Sequence, residues 1–169
     1  MKIYVISDTH FNHKEKMCEL AGRPENYEEQ IINNVRRIPK YSLLICLGDV
    51  CIGKDEWWNR RLLSVSPCYK ILVKGNHDSK SNNWYTEIGW SFVCTTFSDT
   101  FFGKNILFSH KPIKDCGYDF NIHGHFHNTD HRTQEPELVV IKNDKQILIS
   151  LEQLQYKPIN LEKLIRRLK

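Results

Sequence analysis

The sequence predicts an α/β layered sandwich, and three observations carry that prediction. Short apolar, β-branched runs alternate with amphipathic helical patterns through the first half of the chain, while the second half is mostly strand-like. The apolar runs are short enough to be buried strands rather than core helices. Most of them end in a polar turn that contains Gly or His. In open α/β sheets, ligands bind at the carboxyl ends of strands, so these turns converge on one site.

Lys2 to Ser7 (KIYVIS) reads as the first buried strand, followed by a polar loop. Tyr27, Ile31, Val35 and Ile38 then fall on one helical face. Pro24 precedes this helix, Pro39 stops it, and Asn26 with Glu29 fits a capping box. Leu43 to Leu47 (LLICL) is the next strand, and Asp55 to Val65 the next helix. Within that helix the adjacent Trp57 and Trp58 read as one core anchor and one exposed partner, a base-stacking platform being the alternative. Tyr69 to Val73 (YKILV), Asn105 to Phe108 (NILF) and the shorter Phe120 to Ile122 are further strands. Val139 to Ile141 and Gln146 to Leu151 read as a late hairpin turning at Asn143-Asp144. Leu161, Leu164, Ile165 and Leu168 give a last apolar helical stripe, with Arg166 and Arg167 on its solvated face.

A chain of 169 residues fits one domain, spanning 1–169. Its 40% hydrophobic and 26% charged content is that of a folded globule, which argues against disorder. The net charge of +4 welcomes phosphate but falls short of the basic stripe of a nucleic-acid binder. The six cysteines form no C-x-x-C pair. With Met-Lys leading straight into a strand, the expectation is a cytoplasmic protein with free thiols. No apolar stretch approaches the roughly 20 residues of a membrane span.

The chemistry lies in five turns: Ser7-Asp8-Thr9-His10, Gly48-Asp49-Val50, Gly75-Asn76-His77-Asp78, Ser109-His110, and His123-Gly124-His125-Phe126-His127. Asp carboxylates, an Asn carbonyl and imidazoles form a mixed oxygen and nitrogen donor set. It suits Mn, Fe, Zn, Co or Ni better than Ca or Mg. Such a set exceeds one tetrahedral site and suits two ions about 3.5–4 Å apart that share a carboxylate. Two such ions acidify a shared water and clamp the oxygens of an in-line displacement at phosphorus. In Asp-x-His and His-x-His, extended backbone turns residues i and i+2 the same way.

In this order the five motifs resemble the calcineurin-like metallophosphoesterases, and they cover residues 8 to 127. The resemblance implies a four-layer αββα sandwich of two mixed sheets flanked by helices. It implies two divalent transition-metal ions, Mn foremost, on seven ligands. Asp8, His10 and His127 hold one ion, Asn76, His110 and His125 hold the other, and Asp49 bridges them. His77 faces the scissile phosphate as the proton donor, and Asp78 orients it. The opening Asp8-Thr9-His10-Phe11-Asn12-His13, with Arg23-Pro24 after it, is similar to a compact bacterial and phage-type subgroup that usually has Gly where Asn12 stands.

Asn12, His13, Arg23 and Lys111 are the candidate substrate contacts, Arg23 because its planar fork suits phosphate. His123 either lines the pocket or is a satisfied structural histidine; His131 and Arg132 read as solvated. The expected partner is a small phosphate mono- or diester, such as a nucleotide, rather than a bound nucleic acid. A nuclease is the alternative. Some relatives act as scaffolds after losing metal ligands, but every ligand position is filled here.

Overall fold

The computed structural model describes residues 1–114, 117–127 and 144–168. Its elements in chain order are β1 (Ile3–Ile6), α1 (Lys14–Ala21), α2 (Tyr27–Arg36), β2 (Leu43–Cys46), α3 (Asp55–Ser64) and β3 (Tyr69–Val73). There follow α4 (Asn82–Glu87), β4 (Phe92–Cys94), β5 (Thr96–Phe101), β6 (Lys104–Ser109), β7 (Phe120–His123), β8 (Gln146–Leu148), β9 (Ile159–Asn160) and α5 (Leu161–Arg167). The strands form two mixed sheets, ordered β4-β3-β2-β1-β9 and β5-β6-β7-β8. In the first sheet only β9 runs antiparallel to its neighbour, and in the second only β5 does.

Alternation along the central strands explains the layering. Val5, Ile45, Leu47 and Val73 point into a core shared with Ile106, Phe108 and Ile122 of the second sheet. Ile6, Leu44, Cys46 and Leu72 point the other way, onto Tyr27, Ile31 and Val35 of α2, Leu62 of α3 and Tyr85 of α4. The first sheet is therefore buried on both faces, which is why its strands read as unbroken apolar runs. Leu161 and Ile165 of α5 enter the core between the sheets. Two mixed sheets flanked by helices are the predicted αββα sandwich. No helix among the described residues is long and apolar enough to cross a membrane.

Several local expectations change. Asn26 does not cap α2 with its side chain; its Oδ1 accepts from Gln30 Nε2 at 2.8 Å instead. β8 pairs with β7 in parallel, and Val139–Ile141, the other arm of the expected hairpin, lies outside the described residues. So do Cys116, His131 and Arg132. The five described cysteines are free. Trp58 is buried and stacks on Phe11 with 4.7 Å between ring centroids, while Trp57 is 52% exposed.

Candidate metal centre

The five turns meet because the sheet ladder continues past the strand ends. Asp8 N–H donates to the Gly48 carbonyl, His10 N–H to that of Asp49 and Phe11 N–H to that of Val50, each at 3.0 Å. The first two turns are thus zipped side by side. The reason Asp8 and His10 converge is not extended backbone, as their spacing suggested. Asp8, His10, Asp49, His125 and His127 all have positive φ, from 45° to 74°. L-residues adopt that region rarely, and such strain gathers at functional sites.

The glycines of the motifs hold the turns in contact. A Cβ on Gly75 would collide with the Asp49 carboxylate, and one on Gly124 with Ser7 and the Asp8 carboxylate. Both carboxylates are therefore pressed against bare backbone and cannot swing away.

The resulting hydrogen bonds leave specific atoms over. Asp8 Oδ2 accepts from the Ser7 hydroxyl and from His125 N–H, whereas the buried Oδ1 has no partner. That Oδ1 lies 3.8 Å from both His10 Nε2 and His127 Nε2. Both ring nitrogens of His10 are buried without a partner. Asp49 Oδ1 accepts from His77 N–H at 2.9 Å. Its Oδ2 sits among His110 Nε2 at 3.3 Å, His10 Nε2 at 3.5 Å and His77 Nε2 at 4.0 Å. His110 Nδ1 lies 2.7 Å from the Leu47 carbonyl, which can only accept, so Nδ1 carries a proton. In the neutral ring, Nε2 then presents a lone pair to Asn76 Oδ1 at 3.0 Å and His125 Nδ1 at 3.2 Å.

Lone pairs facing one another in a buried space are costly unless a cation lies between them. The protonation states show the same demand. Burial acts to raise the Asp8 carboxyl, but the surrounding imidazoles of His10, His110 and His127 reverse this and hold it well below the usual carboxylate range. Burial acts to lower His110, yet its contact with Asp49 and the charges of Asp8 and Asp49 lift it to about 9. The residues fit a divalent cation better than a proton, because the donor atoms fall into ligand-sized groups. Asp8, His10 and His127 form one, Asp49, His110 and His125 another, and His10, Asp49 and His77 a third, each with its donor atoms within 4.8 Å of one another.

Five of the expected ligands, His10, Asp49, Asn76, His125 and His127, line one open cleft of about 350 Å³, and Asp8 and His110 complete their donor groups from the buried side. His77 and His13 line it, and Met17, Leu20 and Phe126 form an apolar side. The other expected residues do not reach it in the expected way. Asp78 does not touch His77. It is 4% exposed and accepts from the backbone N–H of Asp49 at 2.7 Å, Gly75 at 2.8 Å and Val50 at 3.2 Å. It therefore ties the second turn to the third. Asn12 is also structural. Its φ of 62° explains why Asn can stand where Gly is usual, and its Nδ2 donates to the Ile52 carbonyl at 2.8 Å. Arg23 is 3% exposed and points inward rather than into the cleft. Lys111 is not among the residues that line the cleft. His123 is buried, with Nδ1 3.0 Å from the Gly124 carbonyl, and burial pushes it down to about 4.

Sequence reasoning missed Glu152. Its Oε1 accepts from Arg23 Nε at 2.8 Å and lies 3.2 Å from His127 Nδ1. Burial acts to raise it, but His127 and Arg23 outweigh that and bring it down to about 2. Glu152 belongs to no motif and follows His127 by 25 positions, so no spacing could have signalled it.

Comparison with known proteins places this geometry. An uncharacterized protein of Methanocaldococcus jannaschii is 30% identical over 176 aligned positions, covering 98% of this chain and 90% of the relative. The solved structure of a protein of unknown function from Aquifex aeolicus is 27% identical, covers 99% of both chains and has a TM-score of 0.76. The family model for calcineurin-like phosphoesterases matches residues 1–163. With that match over nearly its whole length, the chain belongs to the calcineurin-like phosphoesterase family, whose metal-dependent chemistry its clustered carboxylates and imidazoles suit.

Proposed function

We propose that this phosphoesterase hydrolyses a small, nucleotide-sized phosphate mono- or diester with two divalent transition-metal ions, manganese foremost. Iron, nickel, zinc and cobalt suit the same donors. The observation that carries the reading is the set of buried polar atoms that converge without a hydrogen-bond partner, Asp8 Oδ1 and the ring nitrogens of His10, beside the clustered donor atoms of Asp49, His110 and His125. Asp8, His10 and His127 would hold one ion, Asn76, His110 and His125 the other, with Asp49 shared. When bound, the pair supplies Lewis acidity, which acidifies water and draws charge from the phosphoryl oxygens.

The chain's own groups do the rest. Water oxygen bonds to phosphorus as the ester P–O bond breaks; the proton that water sheds leaves to solvent, and the leaving oxygen takes one from the protein. His77 suits that donation, because its side chain is 44% exposed to the cleft while its backbone is fixed on Asp49. His13 stands beside His10, with ring centroids 5.7 Å apart, where it can meet a phosphoryl oxygen. The cleft of about 350 Å³ matches a mononucleotide better than a polymer, and Met17, Leu20 and Phe126 suit a flat apolar leaving group. The Asp8–His13 run supports placement in the compact bacterial and phage-type subgroup.

The test is a panel of phosphomonoesters, diesters and nucleotides. It is run on chelator-stripped protein with Mn, Ni, Zn and Mg added in turn, and with Asp49→Asn alongside. Activity should be absent after stripping, return with Mn and stay low in the variant. Full activity in stripped protein would sink the reading. A steep loss of oligonucleotide binding with salt would instead favour a nuclease.

A further inference from the structure

The group behind His127 extends the proposed metal site, and its role rests on that reading. Gly22 ends α1 in a left-handed conformation, φ 64°, and Arg23 N–H returns to the Met17 carbonyl at 3.2 Å. This tight cap turns the Arg23 side chain into the interior, where it is fully buried against a Glu152 side chain only 6% exposed. Arg23 Nη1 donates to the Thr9 carbonyl at 3.1 Å and Nη2 to the Asp8 carbonyl at 2.8 Å. Ser150 Oγ donates to Glu152 Oε2 at 2.7 Å. Glu152 is thus clamped from two sides, and its clamp also grips the first motif.

His127 Nδ1 has two neighbours at 3.2 Å, Arg23 Nη2 and Glu152 Oε1. They ask for opposite tautomers. A guanidinium only donates, so it would call for a bare Nδ1; a carboxylate only accepts, so it calls for Nδ1–H. Arg23 Nη2 spends one of its two hydrogens on the Asp8 carbonyl at 2.8 Å and loses little without Nδ1, whereas a bare Nδ1 would set its lone pair against the Glu152 carboxylate 3.2 Å away. On the far side of the ring, Nε2 faces Asp8 Oδ1, which has no donor. An ion there needs a bare Nε2.

We infer that Glu152, fixed by Arg23, is a positioning residue that keeps the proton of His127 on Nδ1 and aims its bare Nε2 at the Asp8–His10 cluster. A carboxylate in this place fixes ring orientation and makes the ligand more basic, and losing it weakens metal affinity roughly 10–100-fold. Arg23 lets Glu152 stay charged in a dry interior.

Two measurements test this on the full chain. Nitrogen-15 NMR of metal-free wild-type protein reads the His127 tautomer directly. A protonated Nδ1 is expected, and an Nε2–H tautomer overturns the inference without any variant. Calorimetric Mn titration then compares wild type with Glu152→Gln and with the charge-free pair Arg23→Met, Glu152→Leu, which leaves no unpaired buried charge. Wild type should take two ions. In both variants one site should weaken roughly 10–100-fold while the other is unchanged. Titrations indistinguishable from wild type in the folded double variant overturn the inference. If wild type binds no Mn at all, the metal reading fails, while the tautomer still decides the role of Glu152.

Discussion

Asp78 and His77 are neighbours in sequence but do different jobs. Asp78 spends its carboxylate on three backbone N–H groups, and burial raises it to about 6 despite those bonds. His77 touches the rest of the site through Asp49 and an edge-on contact with the His10 ring, and is otherwise open to the cleft. Their substitutions should therefore fail differently. His77→Ala should keep wild-type stability while kcat falls roughly 10²–10⁴-fold, as loss of a proton donor does. Asp78→Ala should cost about 2–4 kcal/mol in urea unfolding, because it strands buried donors. An Asp78→Ala protein of unchanged stability would mean that the tie between the second and third turns is not structural.

Among the elements, those that sequence made plain are those with a wide apolar stripe. α2 buries Tyr27, Ile31, Ile32 and Val35. α1 buries only Met17 and Ala21, and α4 has six residues, so neither shows a period strong enough to read. β5 is an edge strand of mostly exposed residues whose Phe97 and Phe101 alone point inward. One charged residue on β3 is buried against expectation. Lys70 is 3% exposed, and its ammonium donates to the carbonyls of Leu63 at 3.0 Å, Ser66 at 2.5 Å and Cys68 at 3.3 Å, closing the turn after α3. Lys70→Met should cost about 2–4 kcal/mol, since buried carbonyls lose their donor. Burial lowers Lys70 below its ordinary 10.5, so the unfolded chain holds this proton more tightly than the folded one. Between the folded and unfolded pKa values, wild-type stability should gain a rising component with pH that the Met variant lacks. Denaturation midpoints across the alkaline range, with equal slopes in both proteins, would refute this.

At the scale of the whole molecule, the first sheet contributes Asp8, Asp49 and Asn76, and the second contributes His110, His125 and His127. Only the folded sandwich brings the two sets together. Contacts across the sheets, such as His125 N–H on Asp8 and His110 on the Leu47 carbonyl, make the site and the fold one cooperative unit. Ions that bind there should therefore stabilise the whole chain. At a free concentration 100-fold above Kd each ion adds about 2.7 kcal/mol, or about 5–10 °C in Tm for a chain of this size. Calorimetry with and without Mn, reversed by chelator, measures this. An unchanged Tm would show that the sheets do not share a bound ion.

The sequence by itself determined the ligand types, their order and the strands that carry them. Donor chemistry and the alternation of apolar runs are local properties. The glycines were legible too, although only the structure shows that Gly75 and Gly124 must be bare because carboxylates press on them. The roles of Asn12, Arg23, Asp78 and Glu152 were not legible. Each depends on which way a side chain turns once strained loops with positive φ replace extended backbone, and on partners up to 129 positions away in the chain. Hydrogen bonds over such separations are fixed by packing, not by spacing, so the tertiary structure alone decided that Arg23 faces Glu152 and His127 rather than the substrate.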